Sequence, residues 1–200
     1  MDYQGAKSFI IDKLSRELSD ELTYHGLHHT LDVLQSVEEL CYLEGVSDED
    51  RILLKTAALF HDSGFMVGSN NHEEYSCQIA SYYLPEYGYQ KEEIERINQM
   101  IMATKIPQSP KDKLAQLLCD ADLDYLGRDD FYSIGHSLYQ ELRLRSVVEE
   151  EMTWKKIQVD FLEQHEFFTD ANKRRRAPKK EGFLKELREE LNFLEKNQVE

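Results

Sequence analysis

Three stretches of this chain gather the side chains that hold metals and phosphates. The first is Tyr24-His25-Gly26-Leu27-His28-His29-Thr30-Leu31-Asp32-Val33, with three histidines in five residues. At roughly 100° per helical residue, His25, His29, Asp32 and Ser36 share one face and Leu27, Leu31, Leu34 and Cys41 lie roughly opposite. Histidines four apart on a helix can aim at one point, the geometry metal sites use, and a solvated polar face is the plain alternative. The second stretch is Leu59-Phe60-His61-Asp62-Ser63-Gly64, where two ligand-type side chains stand at the end of the apolar run Ile52 to Phe60. The Ser-Gly pair is expected to stop the helix there. The third is Leu117-Leu118-Cys119-Asp120-Ala121-Asp122-Leu123-Asp124-Tyr125-Leu126-Gly127. On a helix its three aspartates spread over about 400°, so they cannot all face water while the leucines face the core. At least one carboxylate should point inward, where it needs a cation or several donors. The bland reading is an N-cap aspartate with exposed neighbours.

Taken together, the stretches offer two imidazoles and two carboxylates from separate helices. Such a mixed N/O set suits Mn, Fe, Co, Ni or Mg better than a structural zinc. The order His29 … His61-Asp62 … Asp122 resembles the HD superfamily of metal-dependent phosphohydrolases, over about residues 20–145. Tyr24-His25 ahead of His29-Thr30, the helix-ending His61-Asp62-Ser63-Gly64 and Asp122 in Cys-Asp-Ala-Asp-Leu-Asp-Tyr-Leu-Gly support the likeness. The resemblance implies an all-α core around a divalent metal, with the C-terminal helices as additions. It implies His29, His61, Asp62 and Asp122 as the metal's ligands. The pattern Tyr24-His25-x-x-x-His29-x-x-Asp32-Val33 also resembles the opening motif of cyclic-nucleotide phosphodiesterases in that superfamily. There the residue matching His25 donates a proton to the leaving oxygen. The chain lacks their extended catalytic domain and substrate-clamping segment, so a cyclic nucleotide stands as one candidate substrate among small nucleotides. Binuclear members carry further histidines. His72 lies 11 residues after His61, where such members often carry one, and reads equally as a phosphate donor or a plain helix-start residue. Met102-Ala103-Thr104-Lys105 stands where another would be expected, which favours one tight metal over a full pair.

The chemistry expected from such a site is phosphate-ester hydrolysis. A bound divalent ion acidifies a coordinated water and polarises a phosphoryl oxygen. His25 is the expected proton donor, and Asp62 is placed to orient the attacking water. Phosphate oxygens need positive partners, and Lys105 and Arg128 are the candidates in so acidic a chain. Each also reads as an exposed cation paired with a neighbouring acid. Two rivals remain: a non-catalytic module that binds a nucleotide and metal to report a signal, and a di-iron oxygenase of HD type. The first has no use for the proton donor His25, and the second wants more histidines than this chain places.

The elements that must position these residues are helices. Glycine and proline are scarce, 9 and 4 in 200 residues, and leucine, glutamate and lysine recur with period 3.6. Helices are expected at about 4–22, 27–44, 48–62, 72–84, 90–103, 111–127, 129–145, 150–164 and 180–196. Ser47 before Asp48-Glu49-Asp50 and Asn71 before His72-Glu73-Glu74 read as N-caps, and Gly127 as a helix end. The expectation is one domain over 1–200, with its core at about 20–145 and a helical addition at about 146–200.

The net charge of −15 argues against nucleic acid as a partner. The one basic run, Lys173 to Arg176 with Lys179 and Lys180, reads as a solvated turn beside Pro178. No run approaches the roughly 18 apolar residues of a membrane span, and MDYQGAKSFI is not a signal peptide, so a cytoplasmic protein is expected. Cys41, Cys77 and Cys119, odd in number and without CxxC spacing, read as reduced, buried thiols. His136, His165, Trp154 and the tyrosines 82, 83, 87 and 89 read as packing or surface residues.

Overall fold

The computed structural model describes residues 1–197, and among them every regular element is a helix. The chain divides after Leu123 into two compact units.

In the first unit, α1 (Tyr3–Glu17), α2 (Leu27–Leu43), α3 (Asp48–Phe60), α4 (His72–Tyr83), α5 (Lys91–Ala103) and α6 (Lys113–Asp122) surround a common core. Helix α3 is its axis, because α1, α2, α4, α5 and α6 all pack on it. A helix enclosed this way must be apolar nearly all round. Accordingly Leu53, Leu54, Ala57, Ala58, Leu59 and Phe60 lose all contact with solvent. The polar start of α3 is held by Ser47, whose hydroxyl accepts the Asp50 N–H at 3.2 Å, with Asp48, Glu49 and Asp50 in the first turn. Asp112 caps α6 in the same way, accepting from Ala115 N–H at 2.9 Å.

The expected boundaries hold within a few residues except at two ends. Helix α1 stops at Glu17 rather than 22, because Leu18 turns extended (ψ 139°) and the Ser19 hydroxyl takes the Glu21 N–H at 3.2 Å. A serine that bonds nearby backbone competes with the helix ladder. Helix α6 stops at Asp122 rather than 127. Two local readings also change. His25 precedes α2 instead of riding on it, and the buried face of α2 contains His29 and Ser36 while Leu31 is exposed. Asn71 does not cap α4: its backbone is left-handed (φ 57°) and its side chain makes no capping bond.

The second unit opens with a 3-10 turn, Asp124–Gly127, followed by α7 (Phe131–Leu144), α8 (Glu151–Gln164), α9 (Asp170–Arg175) and α10 (Ala177–Asn197). Helix α10 packs on α8, α9 and the opening turn. Phe131 stacks on Phe183 with centroids 4.6 Å apart. The basic run is not a solvated turn. It forms the end of α9 and the start of α10, and between the two helices Arg176 reaches the buried Asp124 carboxylate at 2.8 Å. Lys180 is buried, donating to the Leu162 and His165 carbonyls. Gly127 is required for this packing, since a Cβ there would stand 2.4 Å from the Arg176 carbonyl oxygen.

The cysteines are free thiols, with Cys41 and Cys119 buried and Cys77 half-buried. Among the described residues no helix is long and apolar enough to cross a membrane.

Candidate metal centre

His29, His61 and Asp122 come from three elements of the first unit, and each offers a ligand atom within 4.8 Å of the other two. His29 sits in the first turn of α2, on its buried face. His61 follows the last residue of α3 and is wholly buried. Asp122 is the last residue of α6. The helices thus deliver these three side chains at their ends, where the chain can turn a polar group toward a shared point without carrying it through the core.

The orientation of His61 is fixed by the backbone. Its Nδ1 lies 2.8 Å from the Ala58 carbonyl, which can only accept, so Nδ1 carries a proton and Nε2 faces the cluster. That Nε2 is 3.4 Å from His29 Nε2 and 3.5 Å from Asp122 Oδ1. His29 Nε2 in turn lies 3.1 Å from Asp122 Oδ1.

Asp62 is the fourth member. Its Oδ2 stands 3.2 Å from His61 Nε2 and 3.4 Å from His29 Nε2, and its Oδ1 stands 3.4 Å from His72 Nε2. Yet Oδ2 is buried and makes no hydrogen bond. A buried carboxylate oxygen without a donor is costly, and a cation between it and the imidazoles removes that cost. Two imidazole nitrogens and two carboxylates, all buried except the half-buried Asp122, fit a divalent metal with N/O preference.

The electrostatics agree. Burial opposes charge on His61, but the carboxylates of Asp62 and Asp122 hold its imidazole well above the ordinary histidine range. Burial likewise opposes ionisation of Asp62, yet His61 and His72 hold it well below the usual carboxylate range. Asp122 is depressed against burial by His29 and His61.

The remaining candidates fall into three groups. His72, the first residue of α4, joins the site through Asp62, with its Nδ1 3.2 Å from the Ser69 carbonyl. Burial lowers and Asp62 raises its pKa, for a net rise. His25 lies beside the site, its ring centroid 6.1 Å from that of His29 and 6.2 Å from that of His72. Lys105 and Arg128 are engaged elsewhere. Lys105 Nζ bonds Glu74 at 2.6 Å and Asn71 at 3.5 Å, and lines a groove with Cys77, Met102 and Ile106 that contains none of the four candidate ligands. Arg128 belongs to the second unit, where it grips Asp130 at 2.9 and 2.6 Å and lies 3.8 Å from Asp124. Of the three alternating aspartates, Asp122 meets the imidazoles, Asp120 is buried, and Asp124 is satisfied by Arg176 and Asn172.

Two residues were not foreseen. Glu73 is buried with its Oε1 3.5 Å from His72 Nε2. Its spacing with Ser76 and Ala80, which share the buried face of α4, is the signal that marks it. Phe65, in the 3-10 turn Ser63–Met66, touches both His25 and His72. No spacing rule places an aromatic against side chains from two other segments.

Comparison with known proteins bears on the same span. Residues 26–124 match the family model described as HD domain, a stretch that contains His29, His61, Asp62 and Asp122. Over 101 residues the chain is 35% identical to an uncharacterized protein of Clostridium beijerinckii. That alignment covers 49% of this chain and 62% of the relative, so the chain spans less than two thirds of the relative's length. No solved structure matches.

Proposed function

Since residues 26–124 are an HD domain, a fold of metal-dependent hydrolases, we propose that this protein is a phosphohydrolase acting on a phosphate ester of a small nucleotide. The observation that carries the reading is the buried His29–His61–Asp122 cluster with the unpartnered Asp62 Oδ2 turned into it. These four residues would hold the divalent ion, of the Mn, Fe, Co, Ni or Mg class, with one tight site. Once bound, the ion supplies Lewis acidity at phosphorus and an acidified water.

The chain's own residues divide the other tasks. The Ala58 carbonyl keeps His61 in the tautomer whose Nε2 lone pair would be free to hold a metal. Asp62 Oδ1, the oxygen turned toward His72, accepts a hydrogen bond from the attacking water and orients it. His72 is partly exposed and donates to a phosphoryl oxygen. His25, half-buried at the edge of the cluster, gives its proton to the leaving oxygen. With Lys105 held by Glu74, the positive charge that meets the phosphate would come chiefly from the bound ion, with His72 beside it. The nucleotide class draws on the likeness of the Tyr24–Val33 stretch to cyclic-nucleotide phosphodiesterases.

The test is metal content of the purified protein, followed by hydrolysis of an aryl phosphodiester and an aryl phosphomonoester. The expected result is a transition metal near one per chain and turnover that falls roughly 100-fold or more in Asp62→Ala. Metal without turnover on either ester would instead indicate a nucleotide-binding module. Failure to load any divalent ion would remove the site altogether.

A further inference from the structure

Two imidazoles beside the metal ligands come from separate segments, His25 from the bend ahead of α2 and His72 from the start of α4. Both rest on one phenyl ring. The centroid of Phe65 lies 4.1 Å from that of His25 with the planes 18° apart, and 4.2 Å from that of His72 at 32°.

The Phe65 backbone is held firmly. Its N–H bonds the Asp62 carbonyl at 3.0 Å, and the preceding Gly64 N–H donates to the buried Ser76 hydroxyl at 2.8 Å. Gly64 also approaches α4 so closely that a Cβ would stand 1.9 Å from the His72 carbonyl oxygen. The turn that follows His61-Asp62 is therefore clamped to α4, and Phe65 is aimed by that clamp.

We propose that Phe65 is a positioning residue, its ring setting the plane of the His25 imidazole for proton transfer to the leaving oxygen. This rests on the phosphohydrolase reading above. A proton donor works only when its N–H points along the line to the receiving oxygen. Face-to-face stacking fixes the imidazole plane, and hence the plane in which its N–H lies. It uses the face of the ring and neither nitrogen.

The test compares wild type, Phe65→Leu, Phe65→Tyr and His25→Gln in the metal-loaded protein, on two phosphodiesters that differ only in leaving group. A nitrophenolate leaves readily without a proton, whereas an alkoxide needs one. Phe65→Leu should lower kcat/KM for the alkyl ester about 10- to 100-fold, and for the nitrophenyl ester by less than about threefold. His25→Gln should show the same selectivity, and Phe65→Tyr should restore the wild-type ratio. A readout independent of turnover is the His25 ring C–H resonance, which ring-current shielding by Phe65 should hold upfield and Phe65→Leu should release.

Equal loss on both esters, loss of metal from Phe65→Leu, or an unmoved His25 resonance would overturn the proposal. Wild type that cleaves neither ester would overturn the phosphohydrolase reading and proton delivery with it. The resonance would then show separately whether Phe65 holds the ring.

Discussion

Asp62 Oδ2 concentrates the energetics of the site in one atom. It is buried, makes no hydrogen bond, and faces two imidazole nitrogens at 3.2 and 3.4 Å. An ion bound there would therefore stabilise the fold. At a free concentration 100 times its dissociation constant, such a ligand contributes about 2.7 kcal/mol. For a chain of this size each kcal/mol moves the thermal midpoint by roughly 2–4 °C. Chelation should thus lower the midpoint by roughly 5–11 °C, and restoring the ion should recover it. The same chelation should leave Asp62→Asn nearly unmoved, and an equal drop in that variant would place the ion elsewhere. At this scale the clustered residues were legible because His, His-Asp and Asp are chemically distinctive and stand at the ends of apolar runs. Arg128 meets the neighbouring acid Asp130, as its sequence surroundings allow, whereas the partner of Lys105 was not legible because Glu74 lies 31 residues away along the chain.

Among the elements, the turn after α3 is the most constrained. Gly64 fills the space where α4 begins, so Gly64→Ala must push two backbones apart rather than rotate a side chain. Its expected cost is about 2 kcal/mol or more, in the range of overpacked sites, and metal affinity should fall with it because His72 and Asp62 shift. Gly182→Ala is the matching control. It lies within α10 with nothing inside 4 Å of the added methyl, and should stabilise by about 0.5–1 kcal/mol. Thermal melts and metal titration of both variants check this, and a neutral Gly64→Ala would show that the close approach is dispensable. Most helices were legible from their period and caps, as Ser47 ahead of α3 illustrates. Helix α9 was not, because six residues are too few to display a period and its Thr169 cap looks like any loop threonine. The role of Lys180 was hidden too, since its carbonyl partners lie 15 and 18 residues back.

For the whole molecule, the division after Leu123 carries no glycine or proline at the break itself, because Asp122-Leu123-Asp124 lies in a run where aspartates alternate with apolar residues. It nonetheless sorts the charge. The first unit, which contains all four candidate ligands, holds 10 Lys and Arg against 22 Asp and Glu, a balance of −12 out of −15. An anionic phosphate ester must do work against that field to reach the site. Salt shortens the range of the repulsion, from a Debye length of about 30 Å at 0.01 M to about 8 Å at 0.15 M. The value of kcat/KM for a phosphomonoester should therefore rise a few-fold as inert salt is raised across that interval. A phosphodiester, with one charge fewer, should respond less. A fall with salt for both esters would mean that the pocket itself is positive enough to attract its substrate despite the acidic surface. In that case the imidazoles and their metal, rather than the net charge of the unit, would set the encounter.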